Sequence, residues 1–454
     1  MANITLGQAA AWCGGRVEPQ YENVTFSGAS IDSRKLQPGE LFVAIVAARD
    51  GHNFIPGAVE RGAVAVLCSR PVPEVPVILV EDTRIALGRM AAGYLRHMGA
   101  KVIGVTGSVG KSTTKEMIAT VLESTYRVSK TPANHNNDLG LPAAVLAMEP
   151  DTQVAVLEMG MSHFGEIAYL SGLAQPDIGV IINIGTMHIE NLGSQEGILR
   201  AKLEITQGMK KDSKLLLYGD DPYLWGCREQ LSIQKAYFGV ENSACAVRCE
   251  NVTEREGTLS FTVVTAGKSF PVCLPLEGRH YVPDALAAVS VGLEMGIAPE
   301  KIAAALGTFQ TMAGRQEIFS AAGCTIISDC YNAGPESMAA ALRVLGNRQG
   351  RRIAVLGDML ELGDHSRQAH YNAGVLAAEK ADLLLCFGEE SIQTVCGAKN
   401  AGMEKAWHYS SREALAQSLL ALHQPGDVLL FKGSRGMKME LCMECFLQGL
   451  GGAS

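Results

Sequence analysis

The stretch VIGVTGSVGKSTTKEMIATVLE, residues 102–123, constrains the chain more than any other. An apolar run is punctuated by glycines at 104, 107 and 110, then passes through a lysine and a serine into a helix-forming sequence. That is the order of a strand, a tight turn and a helix, and it belongs to an open sheet whose strands end where helices begin. Backbone N–H groups converge in such a turn, and the helix N-terminus adds partial positive charge, so the turn can cradle a phosphate. Gly107 and Gly110 let the backbone approach an anion, Lys111 can reach β- and γ-phosphates, and Ser112 can ligate Mg²⁺. Ser108 and Thr113 complete the nucleotide-binding set. The commonest form of this loop has glycine where Val105 stands. Val105 reads as the end of the strand, and no physical part of the cradle is lost with it.

A chain of 454 residues exceeds one compact core, so about two to four domains are expected. The formal net charge of −8 and the absence of a long basic block argue against nucleic acid or an anionic membrane as partner. The N-terminal MANITLGQAAAWCGG does not read as a signal peptide, and the longest apolar runs are about half the roughly 18 residues that span a bilayer. Twelve scattered cysteines, several within apolar runs, fit reduced thiols and a cytoplasmic location. The one C-x-x-C pair, Cys442 and Cys445, has no second pair to complete a zinc site.

Three regions follow from the rhythm of the chain. Residues 1–83 hold short strand-like runs, ELFVAI and GAVAVLCS, and read as a small mixed α/β domain. Residues 84–313 alternate helices and strands. VAVLEMG (154–160) and IGVIINIG (178–185) are near-continuous apolar runs suited to a parallel sheet covered on both faces. Between about 236 and 276 the runs AYFGV, CAVRCENV, TLSFTVV and SFPVCLPL shorten and alternate, which predicts an added antiparallel sheet. Residues 314–454 restart the alternation with CTIISD, RRIAVLGD, ADLLLCFG and DVLLFKGS, a Rossmann-like unit. The expected fold class is therefore α/β in three domains, with the phosphate loop in the central one.

A nucleotide loop needs a carboxylate for its metal, normally at the carboxyl end of a neighbouring strand. Glu158 ends QVAVLE and meets that requirement, while IINIGTMHIE places Asn183, Thr186 and His188 beyond the edge of the sheet, where open α/β sheets bind ligands.

TGSVGKSTTKEM, KTPANHNNDLGLP, VLEMGMSHFGEI, NIGTMHIENLGSQEGILRAKLEI and SDCYNAGPESM together resemble the Mur ligases of bacterial peptidoglycan synthesis. The likeness extends to IDSRKLQPGELFVAI near the start, and to AVLGDMLELGDHS and FKGSRGMKME near the end. The resemblance implies an ATP-dependent, ADP-forming peptide ligase working through an acyl phosphate. It favours the dipeptide-adding branch, whose substrates are a UDP-N-acetylmuramoyl-tripeptide and D-alanyl-D-alanine, and a monomer is expected. It assigns Lys111 and Ser112 to the ATP phosphates and Mg²⁺, and places Glu158, His188 and Lys202 at the metal, with two Mg²⁺ ions expected. Lys202 corresponds to a lysine that becomes carbamylated; read alone it is a helix surface lysine. Arg315 matches an arginine on phosphate, and Asp329 an acid on ribose, both closing on the nucleotide from the last domain. Asp32, Ser33 and Arg34 match uridine-diphosphate contacts, and Asn136 and Asn137 an asparagine pair near the sugar or pyrophosphate.

The chain departs from the family pattern at His280-Tyr281-Val282-Pro283-Asp284, where H-N-x-x-N is usual. Asp284 stands where the family reads adenine, and a carboxylate there can accept a hydrogen bond but not donate one. Gly334 replaces an asparagine before Pro335, and AARDGH (47–52) is longer than the usual segment. Two other readings compete: another Mur or folylpolyglutamate-type ligase, and a nucleotide-binding regulator carrying the same loop.

Overall fold

The computed structural model describes residues 4–73 and 75–451; Glu74 and the outermost residues of the two terminal domains, 1–3 and 452–454, lie outside that description. Three main sheets organise the chain. The central one has nine strands, in the order Lys268–Leu274, Thr258–Thr265, Val247–Arg255, Gln234–Gly239, Lys214–Tyr218, Ile178–Ile181, Lys101–Thr106, Val154–Glu158 and Val128–Lys130. Val102, Ile103 and Val105 are buried, as a parallel strand covered by helices requires. Val105 pairs with Glu158 on one side and Val180 on the other, so it is indeed strand.

The chain leaves Lys101–Thr106 toward the edge strand Val128–Lys130, returns through Val154–Glu158, and then crosses to Ile178–Ile181 on the opposite side. That reversal opens a crevice at the carboxyl ends of the three inner strands, where α/β sheets bind ligands. Ala236–Val240 differs from its sequence reading. Most of it falls within Gln234–Gly239, which runs parallel to its neighbours, and Val247–Arg255 also joins it in parallel before the last three strands turn antiparallel. The antiparallel strands thus extend the same sheet. The shorter alternating pattern marks a sheet edge with one solvated face, a property that does not report strand direction.

The helix Lys111–Glu123 buries Met117, Ile118, Val121 and Leu122 against Tyr281–Glu294, fixing the loop at its N-terminus to a packed core. Fully burying each such side chain contributes roughly 1.5–3 kcal/mol.

Four short parallel strands, Ala29–Ser30, Leu41–Val43, Ala65–Cys68 and Val77–Leu79, form the N-terminal sheet. The helix Thr83–Met98 starts on an Asp82 side-chain cap and ends at Gly99, whose φ of 65° suits glycine. It packs on Leu6–Cys13, where Gly93 leaves the space Trp12 fills; a Cβ there would lie 2.3 Å from the indole. One apolar core runs from Leu6 and Leu41 through Leu87 and Met90 to Leu141 and Leu157. The chain therefore passes residue 83 without a break in packing.

The C-terminal sheet has six strands, Glu317–Ala321, Cys324–Asp329, Val428–Lys432, Arg352–Gly357, Leu383–Phe387 and Ala406–Tyr409, all parallel except the first, with apolar clusters on both faces. No helix among the described residues is long and apolar enough to cross a membrane.

Candidate active site between the central and C-terminal domains

The loop after Lys101–Thr106 is held open by a neighbour. Asn183 Oδ1 accepts from the N–H groups of Ser108 (3.0 Å) and Val109 (2.9 Å), while its Nδ2 donates to Val109 O at 2.8 Å. Gly185 N–H donates to Ser108 Oγ at 2.9 Å. Gly110 has φ +86°, and a Cβ there would stand 2.8 Å from Asp284 Oδ1, so both conformation and space demand glycine. The N–H groups of Gly110, Lys111, Ser112 and Thr113 have no acceptor among the described residues, leaving a cluster of donors for an anion at the helix start. Lys111 Nζ curls over the loop onto Gly107 O (2.9 Å) and Ser108 O (3.1 Å), and burial lowers its pKa.

Ser112 is the junction of the site. Its hydroxyl donates to Glu158 Oε2 at 2.7 Å and accepts from Arg315 Nη2 at 2.9 Å, joining central and C-terminal domains through one oxygen. Glu158 is buried; Asn136 Nδ2 donates to its other oxygen at 2.8 Å, and the buried Lys115 Nζ lies 3.9 Å away. Lys115 Nζ also donates to Thr131 O at 2.6 Å and lies 3.1 Å from Glu116 Oε1, which holds it beside the carboxylate. Asn137 Oδ1 accepts from Gly140 N–H at 2.7 Å, where the following helix begins.

His188 takes a left-handed conformation, φ +63°, and its enclosed Nδ1 lies 2.9 Å from Glu361 Oε2 of the C-terminal domain without hydrogen-bond alignment. Burial pulls its pKa down, with Glu361 opposing. Lys202, on the helix Gln195–Leu203, is only 2% exposed, and its side-chain amine has neither hydrogen bond nor ion pair among the described residues. Burial first, and the charge of Lys111 second, depress its pKa well below the ordinary lysine value.

From the C-terminal domain, Asp329 pairs with the buried Lys432 at 2.6 Å, and Lys432 also donates to Asn332 O. The Arg315 guanidinium stacks 4.0 Å from the centre of the Tyr331 ring. Glu336, at the start of Pro335–Gly346, accepts from Thr186 N–H at 3.0 Å.

Most of these groups line one cavity of about 1090 Å³; Lys115, Thr186, Lys202 and Glu361 are not among its lining residues. Of the residues expected from sequence, Ser108, Gly110, Lys111, Ser112 and Thr113 line it from the loop, and Asn136, Asn137, Glu158, His188 and Asp284 line it from the rest of the central domain. Arg315 and Asp329 line it from the other side. Gly107 and Lys202 are not among its lining residues, and Gly107 lies against Ile182. Asp32, Ser33 and Arg34 are not part of it. There Arg34 forks onto Asp32 at 2.9 and 2.8 Å, Asp32 also accepts from Arg34 N–H, and the arginine holds the carboxyl down to about 2. Asp284 faces the phosphate loop: Thr114 donates to its Oδ1 at 2.7 Å, and burial lifts its pKa to about 7.

Sequence reasoning assigned no role to Lys115, Glu336, Glu361 or Lys432. A lone lysine closing the apolar run DVLLFK was the available signal for Lys432; the others carry none, because their partners lie far along the chain.

No three His, Cys, Asp or Glu side chains cluster as a protein-only metal cage among the described residues. The donor set nevertheless fits Mg²⁺. A serine hydroxyl touches a buried carboxylate beside an open nest of N–H groups, and Mg²⁺ is commonly held by one or two protein oxygens with phosphate and water completing the octahedron.

Three family models match in sequence order: "Mur ligase family, catalytic domain" over residues 25–95, "Mur ligase middle domain" over 105–292, and "Mur ligase, glutamate ligase domain" over 314–435. The chain is 43% identical to the UDP-N-acetylmuramoyl-tripeptide–D-alanyl-D-alanine ligase of Bacillus subtilis (strain 168), over 93% of both chains. It is 34% identical to the ligase of the same name from Escherichia coli (strain K12), over 97% of both. Its fold superposes on MurF from Acinetobacter baumannii with a TM-score of 0.90 at 33% identity, covering 98% of both chains. It superposes on MurF ligase from Thermotoga maritima in complex with ADP at 0.84 and 30%, covering 95% of this chain and 99% of that one. With a phosphate loop, a buried carboxylate and a cross-domain arginine converging on one serine, and with this similarity along nearly its whole length, the chain belongs to the Mur ligase family.

Proposed function

We propose that the protein joins D-alanyl-D-alanine to a UDP-N-acetylmuramoyl-tripeptide at the expense of ATP. The observation that carries this reading is the convergence of Glu158 and Arg315 on Ser112 from two domains, beside the phosphate loop that holds Lys111, in a chain resembling ligases of that name. A carboxylate oxygen of the tripeptide attacks the γ-phosphorus, the bond to the β-phosphate oxygen breaks, and ADP leaves an acyl phosphate. The dipeptide amine then attacks the acyl carbon, loses a proton, and inorganic phosphate departs.

Bringing a carboxylate to a triphosphate sets like charges together, so neutralisation and positioning supply most of the rate. The free N–H groups of residues 110–113 cradle the phosphates, Lys111 leaves its loop carbonyls to meet them, and Arg315 swings its donors from Ser112 toward the transferred group. Mg²⁺, when bound, would neutralise phosphate charge, and Ser112, Glu158 and His188 are the groups that would hold it. Lys202 enters as a carbamate. Burial, with the Lys111 charge, lowers its pKa and so favours the neutral amine, which adds to CO₂ and releases one proton to give an anion able to hold a second ion. Asp329, fixed by Lys432, is the ribose acceptor. Residues 1–83, with Asp32, Ser33 and Arg34, take the uridine diphosphate, with Asn136 and Asn137 toward the sugar; 84–313 hold ATP, and 314–454 close over it and admit the dipeptide. All twelve cysteines are free thiols, in keeping with a cytoplasmic enzyme, which we take to act as a monomer.

The test is phosphate release from ATP with UDP-N-acetylmuramoyl-tripeptide and D-alanyl-D-alanine, each omitted in turn. Turnover that needs both supports the reading. Turnover with glutamate or diaminopimelate in place of the dipeptide moves the assignment to another Mur ligase, and hydrolysis without either substrate favours a nucleotide-binding regulator.

A further inference from the structure

The contact between His188 and Glu361 joins two residues that are each in the left-handed region, at φ +63° and +65°. Non-glycine residues persist there only where the surroundings over-determine them. For Glu361 those surroundings are explicit. Asp358, just after the strand Arg352–Gly357, accepts from Ser391 N–H at 2.8 Å, Met359 N–H donates to His370 Nε2 at 2.9 Å, and Leu360 N–H donates to Ser434 Oγ at 2.9 Å. Ser434 Oγ in turn donates to Ala333 O, beside the cavity. Met359 and Leu362 are buried, so the loop is anchored on both sides of Glu361 and presents its carboxylate across the domain boundary.

His188 meets it with an enclosed Nδ1 that lies 2.9 Å from the carboxylate, within reach of a hydrogen bond that a small turn of either side chain would align, while its ring lines the cavity and Nε2 makes no hydrogen bond among the described residues. A metal-binding histidine characteristically gives its other ring N–H to a carboxylate, which fixes tautomer and orientation.

We infer that Glu361 is a positioning residue for the metal site: it accepts the Nδ1 proton of His188 and holds Nε2 toward the Ser112–Glu158 end of the cavity. Because Glu361 belongs to the C-terminal domain, the histidine is set only when that domain docks. The inference rests on the reading of His188 as a metal-holding residue.

The experiment is Mn²⁺ affinity of the full-length enzyme with ADP present, read from the electron paramagnetic resonance signal of free Mn²⁺, for wild type, Glu361→Ala, Glu361→Gln, His188→Ala and the Glu361→Ala/His188→Ala pair. Glu361→Ala should weaken binding by about 10–100-fold, as loss of such a partner does. Glu361→Gln, whose amide oxygen still accepts the Nδ1 proton, should bind within about threefold of wild type, and the double variant should be no weaker than His188→Ala alone. Wild-type affinity in Glu361→Ala, losses that multiply in the double variant, or a Gln loss as large as the Ala loss would each overturn the inference, the last by making Glu361 a direct ligand. If His188→Ala itself binds Mn²⁺ normally, the metal reading of His188 falls, and this inference with it.

Discussion

Arg315 Nη2 donates to Ser112 Oγ at 2.9 Å across the boundary between the C-terminal and central domains, while its guanidinium stacks on Tyr331 at 4.0 Å. The stack sets the plane of the guanidinium and leaves its remaining donors to the cavity. Arg315→Ala should lower kcat by about 10²–10³-fold with little change in KM for the UDP-substrate, as expected for a donor used mainly in the transition state. Arg315→Lys should recover little of it, since an ammonium neither stacks nor forks. Steady-state kinetics check both, and a fully active lysine variant would show that charge alone suffices.

The Lys202 side chain carries no ion pair among the described residues, and burial, with the Lys111 charge, lowers its pKa. Lys202→Ala should be inactive and regain activity with added short carboxylic acids, which restore the anion in the vacated space. Activity in the unrescued variant would remove Lys202 from the site.

Much of the centre of the site was legible because it is local. The strand, glycine turn and helix of residues 101–123 follow one another, and Glu158 and His188 sit just where neighbouring apolar runs end. Arg315, Asp329 and Lys202 were reached through family resemblance, since an arginine near a domain junction or a lysine on a helix has no pattern of its own. Glu361 and Lys115 lay beyond reach for a related reason: their meaning comes from partners brought close only by the folded sheet. Residue 83 looked like a boundary because the rhythm of the sequence changes there, yet the helix beyond it shares its core with Leu6–Cys13. Periodicity records what each element buries and is blind to which neighbour it buries against.

The two domains are also clamped away from the cavity. Arg348 meets Glu277 at 2.6 Å and Glu256 at 2.7 Å, and both Arg348 and Glu277 side chains are largely buried. Removing one partner of a buried pair strands the other charge at a cost of about 3–5 kcal/mol. Arg348→Ala should therefore loosen the docking of the C-terminal domain, seen as an increased radius of gyration by small-angle scattering without nucleotide, reversed in part by an ATP analogue with the UDP-substrate. An unchanged radius would mean that the contacts at Ser112, Thr186 and His188 suffice to hold the domains together.

Asp284 makes stability depend on pH in a direction opposite to that of an ordinary surface carboxylate. Burial beside the phosphate loop lifts it to about 7 from an ordinary value of 3.8, with the Thr114 hydroxyl and the Arg315 charge opposing. The folded chain therefore keeps this proton over a range where the unfolded chain has lost it. Stability is fully present below about pH 4, falls as pH rises toward 7, and above 7 carries the whole cost of the buried charge. At 1.36 kcal/mol per unit that cost is at most about 4 kcal/mol. Asp284→Asn keeps an oxygen to accept from Thr114 and cannot ionise. Its thermal midpoint, measured without nucleotide, should exceed that of the wild type at pH 8, and the gap should narrow steadily toward pH 5. A gap that stays constant with pH would mean that Asp284 ionises normally, because solvent or Arg315 compensates its charge within the fold.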